Sequence, residues 1–243
     1  MNCNATPTVF ERHEIKYLVS EAQRRFLIQA MAERLKPDAH GESTICNIYY
    51  DTPDFRLIRT SLEKPVYKEK LRLRSYGPAA ADRDVFLELK KKYDGVVYKR
   101  RISVPQQAAV DFLNGKAPLP QKSQIGREIE YFRWFYRDLQ PAVYLCYDRT
   151  PYFSTEDPNL RITFDRDIRW RTERMSLTSQ PGGQQILAPG ESLMEIKVGA
   201  AMPLWLAELL NENDIRQVSF SKYGRAYQSL LQNKLQERGV FCA

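Results

Sequence analysis

"VYKEKLRLRSY", residues 66–76, is the stretch on which the fold turns. Side chains alternate across a strand, so Lys68, Lys70, Arg72 and Arg74 share one face. Tyr67, Leu71 and Leu73 share the other with Glu69. Four cations in a row repel one another and need compensation from a neighbouring strand, from water or from a bound anion. For one such strand, a solvated outer face is the simplest account.

The same pattern recurs in both directions along the chain. "FLELKKK" puts Glu88 and Lys90 on one face, "VVYKRRISV" does the same for Lys99 and Arg101, and "RHEIKYLV" for Glu14 and Lys16. In "LMEIKV", 193–198, Glu195 and Lys197 oppose Met194, Ile196 and Val198, and Arg149 and Arg161 lie on charged faces of two further strands. If the apolar faces pack outward against helices, the charged faces all point inward. Buried unpaired charge is very costly, and these cations outnumber the carboxylates. Such an interior makes sense as a water-filled tunnel for a highly charged anion. A linear phosphate chain fits: cations at i and i+2 recur about every 6–7 Å along a strand. Arg offers phosphate a bidentate fork and Lys a point charge.

The carboxylates then need a role, because they repel such a ligand unless a divalent cation stands between. Hard oxygen ligands and phosphate oxygens suit Mg2+ or Mn2+. Glu14 and Glu88 read either as metal ligands or as salt-bridge partners of neighbouring Lys and Arg.

The remaining pattern supplies the scaffold. "FERHEIKYLV" reads as a first strand, and "SEAQ", 20–23, as a capping box. The helix that follows carries Phe26, Leu27, Ala30, Met31 and Leu35 on one face and stops before Pro37. "STICNIYYDT" reads as a strand and "PDFRLIRTSL" as a short helical or turn segment. Three consecutive strands over 66–104, the last two joined by "YDG", predict an antiparallel meander. "PQQAAVDFLNG" and "GREIEYFRWFYRDL" are helices; "PAVYLCYDRTPYFS", "LRITFDRDIRWR" and "SLMEIKV" are strands, the last preceded by a polar loop. "PLWLAELLNEN" and "SKYGRAYQSLLQNKLQERG" close the chain as helices, with Ser219 or Ser221 as cap of the last. No repeat or linker divides the sequence. The expectation is one α+β domain over 9–238 between tails 1–8 and 239–243, its roughly eight antiparallel strands closing into a barrel.

Composition narrows the class. The 243 residues are 43% hydrophobic and 12% aromatic, as a folded domain requires. Lys and Arg number 37 against 30 Asp and Glu, so the net charge is +7 and an anionic partner fits. Cys3, Cys46, Cys146 and Cys242 form no C-x-x-C pair, which argues against a zinc site or disulfide framework. His13 and His40, the only two histidines, leave little room for His-based chemistry. The longest apolar run, "AVYLCY" at 142–147, is far short of the about 20 residues that span a bilayer. A soluble, cytoplasmic protein with no membrane segment of its own is expected. Stacking aromatics are not interleaved with the basic runs, so nucleic acid is not expected as a partner.

Nine motifs in order, "RHEIKYLV", "IYYDTPDF", "KLRLRSY", "FLELKKK", "KRRISV", "YDRTPY", "RITFD", "LMEIKV" and "FSKYGRA", resemble the VTC domain. This is the polyphosphate polymerase domain of the vacuolar transporter chaperone family, within the triphosphate tunnel metalloenzyme superfamily. The resemblance covers about residues 9–235 and implies an antiparallel β-barrel tunnel lined by basic residues. It implies transfer of the terminal phosphate of ATP to a growing polyphosphate chain, with Mn2+ or Mg2+. Carried over by motif, Arg72, Arg74, Lys90, Arg149 and Arg161 are the catalytic phosphate-binding set, with Lys16 and Lys222 beside them. Glu195 matches the metal-binding glutamate, and Lys197 shares its face. Lys70, Lys99 and Arg101 join the phosphate lining through their strand faces, and Glu14 and Glu88 join Glu195 as metal candidates.

Two departures matter. Superfamily members that hydrolyse triphosphates or cyclise ATP tend to open with Glu-x-Glu-x-Lys, whereas here Arg12 precedes Glu14 and Lys16. The chain is also expected to lack the extra domains and membrane segments of the eukaryotic complex, so any coupling to a membrane would need a separate partner protein. The expected partners are ATP, pyrophosphate and polyphosphate. The alternatives are a tunnel triphosphatase acting on ATP or tripolyphosphate, and a non-catalytic module that binds polyphosphate or inositol phosphates.

Overall fold

Runs with period-two alternation become strands and runs with apolar residues at i, i+3 and i+4 become helices, and the order of the two follows the chain closely. The computed structural model describes residues 13–39, 41–94 and 96–237. Arg12, Cys3, His40, Cys242 and the outermost parts of the expected 9–238 domain lie outside the described residues. The elements are β1 (His13–Ser20), α1 (Glu21–Ala30), β2 (Leu35–Pro37), β3 (Ser43–Asp51), α2 (Arg56–Leu62) and β4 (Tyr67–Tyr76). Next come β5 (Asp84–Tyr93), β6 (Val96–Pro105), α3 (Gln106–Leu113), α4 (Gln124–Phe135), β7 (Gln140–Ser154) and β8 (Arg161–Arg171). The chain continues through β9 (Gln184–Gln185), β10 (Glu191–Val198), α5 (Leu204–Glu212) and α6 (Lys222–Glu237).

The eight long strands pair antiparallel in the order β1-β10-β8-β7-β3-β4-β5-β6, with β2 added to β7 and β9 to β8. The α+β class and the antiparallel sheet agree with the expectation. Closure into a barrel does not: β1 and β6 share no ladder. The free edge of β1 is occupied by Gln217, which bridges Tyr17, and by Val218, whose N–H donates to the Lys16 carbonyl at 2.7 Å. Across the resulting seam only side chains meet, Lys90 of β5 approaching Glu14 of β1 at 4.0 Å. Ser221 completes the strap by accepting a hydrogen bond from Lys70 Nζ at 3.1 Å. The sheet therefore curls into a trough stitched along one side by residues 217–222.

The helix expected to reach Leu35 stops at Ala30, with its Ser20–Gln23 capping box formed as expected. Leu35 instead opens β2, paired to Ser154. Leu27 and Met31 carry the buried face of α1, and Phe26 is 45% exposed rather than buried.

Three apolar cores follow from the sheet's two surfaces. On the convex side, Leu71, Leu73, Val85, Leu87 and Leu89 pack under Ala109, Phe112, Ile129 and Phe132 of α3 and α4. Also convex, Tyr17, Val19, Ile162, Phe164, Met194 and Ile196 pack under Leu27 and Met31 of α1 and Leu206 and Leu210 of α5. The third core is concave. Ile45, Tyr49, Leu145, Tyr147, Ile168 and Trp170 meet Tyr223, Ala226, Tyr227 and Leu230 of α6. An interior made only of charge is thus a misreading of half the trough. β3 and β7 are apolar on both faces, as strands buried on both sides are, and α6 fills their concave side.

Asp51, fully buried at the end of β3, ties that helix in place. Its carboxylate accepts from the N–H groups of Thr52 and Leu57 at 2.8 Å, from Ile58 N–H at 3.0 Å, and from the Tyr223 hydroxyl at 2.8 Å. It caps α2 and holds the first turn of α6 with the same two oxygens. Gly224 allows the close approach, since a Cβ there would lie 3.0 Å from Leu62 Cδ2. Asp51→Ala strands several buried donors at once and should cost about 3 kcal/mol in denaturant unfolding, whereas Tyr223→Phe should cost about 1 kcal/mol.

Candidate functional site

The uncovered half of the trough is where the charged strand faces converge. Glu88 of β5 is 1% exposed and sits in one rung with Arg72 of β4 and Arg101 of β6. Arg72 Nε reaches its Oε2 at 2.7 Å, Lys99 Nζ reaches Oε1 at 2.8 Å, and Arg101 binds Oε1 as well. Arg74 stands 3.8 Å away and donates instead to Asn47 Oδ1 at 2.9 Å and the Tyr147 hydroxyl at 3.3 Å. Arg72 also donates to the Tyr49 hydroxyl at 3.0 Å. Burial pushes the Glu88 carboxyl up, but Arg72, Arg74 and Lys99 override it and hold it far below the usual range. Both carboxylate oxygens engage cations, as the salt-bridge reading of this residue expects.

A second knot forms where β1, β10, β8 and β7 meet α6. Asp165, fully buried on β8, takes a bidentate pair from Arg149, Nε at 2.6 Å and Nη2 at 2.7 Å. The same Nη2 donates to Glu195 Oε2 at 2.9 Å. Lys222, placed by the first turn of α6, bridges Asp165 at 2.5 Å and Glu195 Oε1 at 2.9 Å. Ser221 caps that turn by accepting from Gly224 N–H at 3.1 Å. The Tyr147 ring lies under both cations, 4.7 Å from Lys222 Nζ and 5.2 Å from the Arg149 guanidinium carbon. Burial raises the Glu195 carboxyl, and Lys222, Arg149, Lys16 and Lys197 outweigh it, leaving it well below the ordinary carboxylate range. Lys222 is correspondingly raised, Asp165 and Glu195 overriding its burial.

Lys16 links this knot to the seam. Its ammonium lies 3.1 Å from Glu14 Oε1 and 3.7 Å from Glu195 Oε1, and donates to the Phe220 carbonyl at 3.0 Å. Two carboxylates from neighbouring strands thus converge on one cation. Among the described residues no cluster of three or more Asp, Glu, His or Cys side chains could hold a metal. Glu14 and Glu195 are the carboxylates that would hold a divalent ion if one bound here.

The rest of the lining has less counter-charge: among the described residues Lys90 reaches only Glu14, at 4.0 Å. Lys70 pairs in register with Lys90 and donates to the Ser221 hydroxyl at 3.1 Å. Burial drives Lys70 down to about 7, assisted by Lys90, Lys16, Lys68 and Arg72. Lys90 and Lys197 are lowered too, burial again being the main cause. Arg161, opposite Lys197 in the ladder, is exposed at the strand end and makes no ion pair among the described residues. The expected residues therefore share the trough, but in three settings: around Glu88, around Glu14 and Glu195 (Lys90 and Lys197 facing Glu14), and, for Lys70 and Arg161, without a carboxylate partner among the described residues. Sequence reasoning missed Asp165, Tyr147 and Asn47. Asp165 was findable, four residues from Arg161 and hence on its face; the other two lie in two-sided apolar strands where alternation is silent.

The Lys70 shift fixes a pH dependence. Its folded pKa near 7 lies below the unfolded value of 10.5, so between those limits the unfolded chain binds more protons and stability rises with pH. An anion that restores the charge must bring a proton with it. Calorimetry of tripolyphosphate binding at pH 7.5, in buffers of different ionisation enthalpy, should show net proton uptake that Lys70→Met diminishes. Equal uptake by both proteins would exclude Lys70 as the source.

Comparison with known proteins places this geometry. Over 243 aligned residues the chain is 23% identical to vacuolar transporter chaperone complex subunit 4 of Schizosaccharomyces pombe, covering 82% of this chain and 33% of that protein. The chain thus spans about a third of the length of that relative. Its fold is similar to that of a candidate adenylate cyclase from Bacillus halodurans, with TM-score 0.53 and 17% identity over 88% of this chain and 94% of the other. A candidate adenylate cyclase from Vibrio parahaemolyticus gives TM-score 0.52 and 12% identity over 91% and 99%. The VTC domain model matches residues 11–231, which include both ion-pair knots, and the chain belongs to the VTC domain family.

Proposed function

We propose that the trough binds ATP and a linear phosphate chain and transfers the γ-phosphoryl group of ATP to the end of that chain. The observation that supports this best is the lining itself. Lys70, Lys90 and Lys197 are drawn down by burial while Arg72, Arg74, Lys99, Arg101, Arg149 and Lys222 stand fixed around three carboxylates. A surface arranged this way gains most from a ligand with a negative charge every few ångströms. Membership of the VTC domain family supports the same substrate class.

Phosphoryl transfer asks little covalent chemistry of a protein; positioning and neutralisation carry the catalysis. Glu88 orients Arg72 and Arg101, and Asp165 orients Arg149, so these guanidinium forks meet phosphate oxygens already aimed. Lys16, Lys70, Lys90, Lys197, Lys222 and Arg161 supply point charges and hydrogen bonds along the chain. The attacking group is a terminal phosphate oxygen, already anionic, so no side chain has to accept its proton. The leaving group is ADP, whose departing charge the same cations stabilise.

Glu14 and Glu195 are the residues that would hold Mn2+ or Mg2+, with Lys16 moving from their carboxylates to phosphate. Such an ion would supply Lewis-acid neutralisation of the phosphate oxygens. Glu88 is not assigned to it. Among the described residues no helix is long and apolar enough to cross a membrane.

Purified protein incubated with ATP and Mn2+ should yield ADP and acid-insoluble polyphosphate. Release of free phosphate alone would favour the tripolyphosphatase or ATPase alternative, and no turnover the binding module. Glu195→Gln should lower synthesis by about 100-fold or more. It should also abolish the broadening of the Mn2+ electron paramagnetic resonance signal that the protein adds beyond that of tripolyphosphate alone. Retained broadening would exclude Glu195 as a ligand.

A further inference from the structure

Beyond the Lys70–Lys90 rung, the β4–β5 ladder carries a second rung of like charge. Lys68 stands directly opposite Lys92, on the same concave face. Like charges in direct cross-strand register destabilise a sheet, and two such rungs follow one another about 6–7 Å apart. Lys64, just after α2, adds a third ammonium: burial lowers Lys68, and Lys92, Lys64, Lys90 and Lys16 lower it further. Among the described residues no carboxylate pairs with Lys64, Lys68 or Lys92; the one hydrogen bond of the three is Lys68 Nζ to the Ser61 carbonyl at 3.3 Å, at the end of α2. This differs from the interior knots, where every guanidinium near Glu88 or Asp165 has a carboxylate partner.

We propose that Lys64, Lys68 and Lys92 form a mouth subsite that holds the distal phosphates of a chain too long for the trough interior, so that the protein distinguishes long linear polyphosphate from tripolyphosphate. The inference rests on the reading that the trough takes linear phosphate chains. The Lys70–Lys90 rung lies next inward, so a chain leaving the Arg72–Arg149 region meets cations in unbroken succession, two strands wide. A nucleotide or tripolyphosphate seated in the interior is too short to reach the last rung. Only the extension beyond it is bound there.

The test compares equilibrium binding of tripolyphosphate and of a long linear polyphosphate to the purified protein and to the triple variant Lys64→Met, Lys68→Met, Lys92→Met. The wild type should bind the long chain more tightly than three phosphates. The triple variant should lose about tenfold in long-chain affinity, as three partly exposed charge pairs would give, and leave tripolyphosphate affinity unchanged. Lys64→Met alone, at an exposed position outside every strand, should lose part of the same preference without risk to folding. Arg at all three positions should restore it. Unchanged long-chain preference in both variants overturns the subsite, as does a wild type with no preference for length. A wild type that binds neither anion overturns the phosphate-trough reading itself, a result distinct from either of these.

Discussion

The buried carboxylates Glu88, Asp165 and Glu195 are what allow this sheet to exist with its charged face inward. Each is held among cations from other elements, and each spends its lone pairs on at least two of them. A buried ion pair of this kind is weak support for stability, because desolvation offsets most of the Coulomb gain. Its effect here is directional. The carboxylates hold guanidinium groups of three strands, β4, β6 and β7, at fixed angles, and a face that would otherwise repel itself becomes a set of preformed phosphate forks. Lys70 has no carboxylate partner among the described residues, and its charge state, with burial driving its pKa down to about 7, depends on what enters.

Order within the trough is uneven for the same reason. The half under α6 is dry and apolar, anchored by Asp51 and by the stacked Tyr49 and Tyr223 rings 4.6 Å apart. The other half is lined by ammonium and guanidinium groups. Tyr49 and Tyr147 stand on the border, their hydroxyls accepting from Arg72 and Arg74 while their rings belong to the concave core. Any anion seated against the arginines therefore abuts a low-dielectric wall, where its attraction to them is stronger than in water.

The strap at 217–222 couples the two halves. Its backbone occupies the edge of β1, its Ser221 hydroxyl receives Lys70, and its last residue, Lys222, is the first of α6 and the bridge between Asp165 and Glu195. Neither the strap nor the open seam had a signal in the sequence: "QVSFSK" reads as a linker before a helix, with no alternation to mark edge pairing.

Sequence by itself determined the strands with one charged face, β1, β4, β5, β6 and β10, because period-two alternation is local and needs no tertiary partner. It equally determined Ser20 and Pro105 as helix boundaries and the presence of a concentrated cationic lining, and left Ser219 and Ser221 as alternatives for the cap of the last helix. Tertiary structure alone decided which carboxylate meets which cation. Glu14, Glu88 and Glu195 sit in near-identical Glu-x-Lys motifs, yet one is saturated by arginines and two converge on Lys16. It also decided that half the interior is filled by a helix, since β3 and β7 are apolar on both faces and alternation cannot assign an inside to such strands. Pairing across strands depends on register and curl, and those are set by contacts between residues far apart in the chain.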